Sequence, residues 1–130
     1  MKETIINPAG AWSFWSEEKK AALKKDEFNT EVGDRIVYEN DEFRIWSIHV
    51  PPGGWLHFHR HTRPYYWTVL TEGKARSYHH DGSVWDTQYT VGDTKYLKDL
   101  SEDNVFIHDV FNTGDTTLIF STVELFRQPK

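Results

Sequence analysis

No cysteine occurs anywhere in the chain. That absence excludes disulfides and thiolate metal sites, so any bound metal must be held by imidazole, carboxylate, phenol or water. Long apolar runs are missing as well. No stretch approaches the roughly 18 apolar residues that a membrane-spanning helix needs. The opening segment, MKETIINPAGAWSFWSEEKK, also lacks the continuous apolar core of a signal peptide. The expectation from these two absences is a soluble, cytoplasmic protein. Positive charge is in short supply: 15 Lys and Arg face 20 Asp and Glu, for a formal charge of −5 and a pI near 5.8. Apart from EEKKAALKK, the basic residues are scattered. Neither nucleic acid nor an anionic membrane surface is an expected partner.

Aromatic residues are plentiful, at 15% with six Trp, which argues for a packed globular core and against disorder. A chain of 130 residues can bury such a core as a single domain. SEEKKAALKK, from Ser16 to Lys25, is the one convincing helix: Ser16 can cap it, and its acidic and basic residues complement the dipole. Trp12, Phe14 and Trp15 would anchor the segment before it. Beyond residue 31 the pattern turns to short runs rich in Val, Ile, Tyr, Trp and Thr. Strands are predicted at Asp34–Tyr38, Phe43–Val50, Trp55–His61, Tyr65–Leu70, Lys74–His79, Val84–Tyr89, Lys95–Leu97, Val105–Val110 and Thr117–Leu125. PPGG, TEG, HDG, VGD and NTGD supply turn chemistry between them. Many short strands at this spacing mean an all-β sandwich or closed barrel.

The chemistry concentrates in HFHRHTRPYYW, where His57, His59 and His61 alternate. Side chains on a strand alternate between faces, so all three imidazoles would point the same way. A fourth, His108, sits in NVFIHDVFNTGDT, on a strand running into a turn. Two histidines on one strand face, joined by one from a distant strand, can build a facial site for a divalent metal. Fe, Mn, Ni, Cu and Zn all suit such a set, and open positions remain for substrate, water or dioxygen.

Read together, these residues resemble the cupin family, small double-stranded β-helix (jelly-roll) barrels. The first cupin motif runs Gly, five residues, His-x-His, three or four residues, Glu, six residues, Gly. This chain has Gly53, His59-Arg60-His61, then Tyr65 or Tyr66 in the place of the Glu, and Gly73. The second motif ends in His, three residues and Asn, matched by His108 and Asn112. The DG and VGD turns fall where cupins place their inter-motif hairpin. More loosely, the chain is similar to small cupins associated with β-alanine degradation. The resemblance implies an N-terminal arm and helix over residues 1–31 and a barrel over 32–130. It also implies a metal held by His59, His61 and His108.

Two departures shape the functional expectation. The glutamate ligand is replaced by tyrosine, which moves the site toward three histidines plus solvent, with a Tyr ligand as an alternative. The Pro-x-Gly of the second motif is missing, and LKDLSEDNVF is longer than the motif by about five residues, which implies a longer loop at the barrel mouth, placed to act as a lid. His57, which the motif spacing skips, is expected beside the metal as a pocket or proton-transfer group. Tyr66 is the other candidate for proton transfer. Trp55, Tyr65 and Trp67 are expected to line the pocket, and Arg60 to be solvated. His79 and His80 read as surface residues, Asp109 as pointing away from the barrel interior, and Asn112 as a turn-maker. The expected function is a metal-dependent enzyme of the dioxygenase or isomerase/lyase type acting on a small oxygenated molecule. The alternative is a non-catalytic barrel that binds a sugar or organic acid. Cupin barrels commonly pair, so a homodimer is expected.

Overall fold

A computed structural model describes residues 1–127; the last three residues assigned above to the barrel lie outside the described residues. All strand pairs are antiparallel and form two five-stranded sheets. The first sheet has the order β1 (Lys2–Asn7), β7 (Val84–Tyr89), β6 (Gly73–Tyr78), β9 (Phe106–Asn112) and β4 (Trp55–His61). The second has the order β2 (Arg35–Glu39), β3 (Phe43–Val50), β10 (Leu118–Leu125), β5 (Tyr65–Val69) and β8 (Thr94–Leu97). While β2 is exposed throughout, along most strands alternation places one face inside. Ile48, Val50, Val69, Val110, Leu118 and Phe120 meet there as a buried core.

Nine of the strands fall where the sequence predicts them, within a residue or two at the ends. The tenth, β1, was not predicted. Its residues KETIIN are exposed except for Asn7, so the burial period that reveals a strand is absent. Backbone pairing with β7 creates it, and Glu3 carries it to the second sheet through an ion pair with Lys95 on β8 at 3.2 Å.

The single α-helix among the described residues, α1 (Glu17–Asp26), forms as expected, with Ser16 Oγ accepting from Lys19 N at 3.1 Å. Of the three aromatic anchors, only Trp15 is buried; Trp12 and Phe14 stay exposed. Trp15 packs with Phe58, Val84 and Ile107 in a second core outside the first sheet, supported by Ala22 and Leu23 of α1. Its indole donates to the Gly82 carbonyl at 2.8 Å, and Gly82 turns the chain there at φ +94°, a region open mainly to glycine.

Lys19 is the polar rivet of this outer layer. Its ammonium meets Asp109 Oδ2 at 2.7 Å and lies 4.5 Å and 4.6 Å from the Tyr78 and Trp55 rings. Asp109 is wholly buried, and its oxygens also accept from Tyr78 N and Trp55 Nε1. Burial pushes its carboxyl pKa up, while Lys19 holds it down. Asp109 thus points out of the barrel, as expected, yet into a covered space rather than into water. The 98–105 segment, expected as a long loop, closes on itself through Ser101 and Asn104, with Leu100 buried.

Removing one partner of a buried ion pair strands the other charge. Lys19→Met should therefore cost about 3 kcal/mol in urea denaturation. Adding Asp109→Asn should recover part of that loss. A cost below about 1 kcal/mol, as for exposed pairs, would show that the rivet carries no stability.

Candidate metal centre

The site depends on an irregularity in the β4–β9 ladder. Trp55 and Leu56 pair with Phe111 and Val110, but the next pair is His59 with His108. Three steps along β4 therefore match two along β9, a β-bulge at His57–Phe58. β4 is the edge of its sheet, and the segment after α1 takes up two of its backbone groups. Arg60 N donates to Asn29 O at 2.6 Å, and Asn29 Nδ2 donates to Phe58 O at 3.1 Å. Arg60 itself, expected in solvent, reaches Glu27 O and lies over the Phe28 ring at 4.9 Å.

The bulge corrects the sequence reading of this strand. Leu56, His59 and His61 line the barrel cavity, while Phe58 joins the outer core. His57, expected in the pocket, is instead exposed, stacked on Trp55 with centroids 3.9 Å apart and 3.7 Å from Asp26. Trp55, also expected in the pocket, faces Lys19 and Asp109 on the outer side. Simple alternation put all three histidines on one face; the extra residue switches the strand's parity between His57 and His59.

At the other end of the stretch, Tyr65 and Trp67 line the cavity as expected. Tyr66 alternates outward, more than one third exposed, edge-on to Tyr96. It lies away from the cavity where a proton-transfer role was expected. Tyr65 is buried and lays its ring flat on His61, with centroids 3.8 Å apart and planes within 3°.

His59, His61 and His108 converge, each offering one nitrogen within 4.8 Å of the others. The Nε2 atoms of His61 and His108 are 3.3 Å apart. Two nitrogens bound side by side to one ion at about 2.0–2.1 Å sit about 3.0–3.4 Å apart, so the spacing fits. His59 Nδ1 lies 2.8 Å from the His57 carbonyl, which can only accept, so the proton is on Nδ1 and the Nε2 lone pair is free. Burial pushes the His59 pKa down to about 4 and holds His61 and His108 well below the usual imidazole value. All three are therefore neutral near pH 7, the form that binds metal. His61 Nδ1 is buried without a hydrogen-bond partner, an uncommon state for a buried ring nitrogen. The residues fit a divalent ion.

The site includes two residues that the sequence reading did not place there. His79, expected at the surface, lines the cavity because a bridge to His108 continues the β6–β9 pairing past the end of β6. Burial lowers its pKa to about 4. Ser77, two residues earlier, also faces the cavity and touches His108 Nδ1 at 3.2 Å. The signal was present: Ala75, Ser77 and His79 alternate on one face, and the HDG turn drew His79 away from it. The cavity measures about 100 Å³, room for several waters or a small organic molecule. Its wall is mainly apolar, with Ile48, Leu56, Trp67, Val110 and Phe120, and Glu3 and Lys95 contribute charge.

A solved cupin domain from Bordetella pertussis Tohama I aligns over 76% of this chain and 97% of its own, at TM-score 0.62 and 24% identity. A double-stranded β-helix protein from Klebsiella pneumoniae aligns over 69% of this chain and 72% of its own, at TM-score 0.55 and 25% identity. The fold is that of a small cupin. A cupin 2 conserved barrel protein from Salinispora arenicola is similar too, over 73% of this chain and 79% of its own, at TM-score 0.51 and 19% identity. No protein-family model matches this chain, and no curated protein matches it significantly.

The depressed imidazoles set a pH dependence. The unfolded chain takes up protons from about pH 6.5 downward, and the folded state resists until about pH 4 at His59 and His79. Stability should be flat above pH 7 and fall from pH 6.5 towards 5, steeply because several buried imidazoles act together. Asp109 and Glu124, whose carboxyls burial raises, act in the opposite sense at lower pH. Urea midpoints between pH 8 and 5, measured with a chelator present, check this. A midpoint unchanged down to pH 5 would contradict the buried, neutral triad.

Proposed function

We propose that this cupin is a metal-dependent enzyme acting on a small oxygenated molecule, with one divalent ion held by His59, His61 and His108. One observation carries the reading. Three neutral imidazoles converge at the wall of a mainly apolar cavity, at a nitrogen spacing that suits one ion. Bound there, the ion supplies Lewis-acid polarisation of a substrate oxygen or a binding point for dioxygen.

The protein's own residues perform the remaining tasks. Ile48, Leu56, Val110 and Phe120 give the cavity an apolar wall, which strengthens electrostatic contacts once a substrate displaces water from it. Tyr65 fixes the plane of His61 by stacking. His79 offers a neutral imidazole as a hydrogen-bond partner for a substrate hydroxyl or carbonyl. Trp67, edge-on to Phe120 and Tyr89, supplies a flat apolar surface. The all-imidazole ligand set favours oxidation by dioxygen over isomerisation, and small diketones and organic acids are the substrates to try first.

Purified protein should carry near-stoichiometric metal. His59→Ala and His108→Ala should lose it, whereas His57→Ala and Tyr66→Phe should retain it because those side chains lie outside the cavity. Elemental analysis of the five proteins makes the comparison, and oxygen uptake then sorts substrates. Protein that stays metal-free after reconstitution with iron, manganese, nickel and zinc sinks the reading.

A further inference from the structure

The Ser77 hydroxyl carries more information than its size suggests. Its oxygen lies 2.5 Å from the Asp109 backbone carbonyl and 3.2 Å from His108 Nδ1. A hydroxyl has one proton, and a carbonyl oxygen has none. The short contact to the carbonyl therefore claims the hydroxyl proton. The contact with His108 needs a proton from the imidazole, so Nδ1 of His108 is protonated and its Nε2 carries the lone pair. That Nε2 is the atom facing His61.

We infer that Ser77 is a positioning residue for the metal centre, holding His108 in the Nδ1–H tautomer so that its Nε2 is presented to a metal. The inference rests on the metal reading proposed above, but the tautomer can be read without any metal. Asp109 anchors the arrangement from the other side. Its carboxylate is fixed by Lys19, Trp55 and Tyr78, so the backbone carbonyl that orients Ser77 sits on a residue locked into the outer core. His59 is preset in the same way by the His57 carbonyl, which gives the bulge a second use.

The third imidazole follows by elimination. With a lone pair on His108 Nε2, the 3.3 Å contact to His61 Nε2 requires the proton to be on His61. His61 is then the Nε2–H tautomer in the metal-free protein, and its buried Nδ1 is left as a bare acceptor, which is the atom found without a partner. Two ligands are thus preset, while the third must exchange its Nε2–H tautomer for Nδ1–H, losing a proton at Nε2 and gaining one at Nδ1, as a metal enters.

The test is a long-range ¹H–¹⁵N correlation spectrum of the full chain stripped of metal, together with zinc affinity from competition with a chromophoric chelator. Wild-type protein should show Nδ1–H tautomers at His59 and His108 and Nε2–H at His61. Ser77→Ala should keep the backbone amide pattern, shift His108 toward Nε2–H and weaken zinc binding about 10- to 100-fold. Ser77→Thr, which restores the hydroxyl, should recover both. A His108 signal that is Nε2–H in wild type, or unchanged tautomer in Ser77→Ala, overturns the inference. So does zinc affinity unchanged by Ser77→Ala while His59→Ala abolishes it. If wild-type protein binds neither zinc nor iron, manganese or nickel, the functional reading fails separately, and the spectrum still decides the role of Ser77.

Discussion

Everything at the cavity depends on one extra residue in β4. A regular strand would carry Trp55, His57, His59 and His61 on one face and Leu56, Phe58 and Arg60 on the other. The bulge at His57–Phe58 sends Leu56 inward with His59 and His61, and Trp55 outward with Phe58. β4 is also the edge of its sheet, where backbone groups lack ladder partners, and unpaired buried groups are costly. Asn29 pairs with two such groups of β4, one from its backbone and one from its side chain. The segment after the helix is therefore part of the site's construction, and its Val32 lines the cavity.

The same economy appears on β9, where adjacent residues serve opposite faces. His108 faces the cavity, and Asp109 faces the outer core beneath α1. Because Asp109 is held by three donors, the backbone that carries His108 has little freedom. A metal site needs its ligands held to a fraction of an ångström. Here that rigidity comes from a buried ion pair and an aromatic layer on the far side of the sheet. Such pairs are weak as sources of net stability but strongly penalise alternatives that leave a charge alone.

Much of this was legible in the chain. Turn residues and short β-rich runs mark nine strands, and the spacing from Gly53 to Gly73, with His108 and Asn112, singles out His59, His61 and His108. Asn112 proves to be more than a local turn-maker, because its side chain also donates to Val50 O on β3 at 2.8 Å. What was not legible has a common cause. A bulge does not change the residue types of a strand, so His57 and Trp55 were read on the wrong face. β1 has no burial period to detect, since backbone pairing alone defines it. The roles of Lys19, Ser77 and His79 arise from contacts between segments distant in sequence, which neither periodicity nor local turn chemistry encodes.

The central claim is that three imidazoles of this barrel bind one ion. X-ray absorption on the purified, metal-loaded protein tests it most directly, because multiple scattering counts imidazole rings around the absorbing atom. The account predicts three imidazoles with nitrogens at roughly 2.0–2.2 Å in the wild-type protein, and two or none in His108→Ala. A metal surrounded only by oxygen, or by a single imidazole, would contradict it.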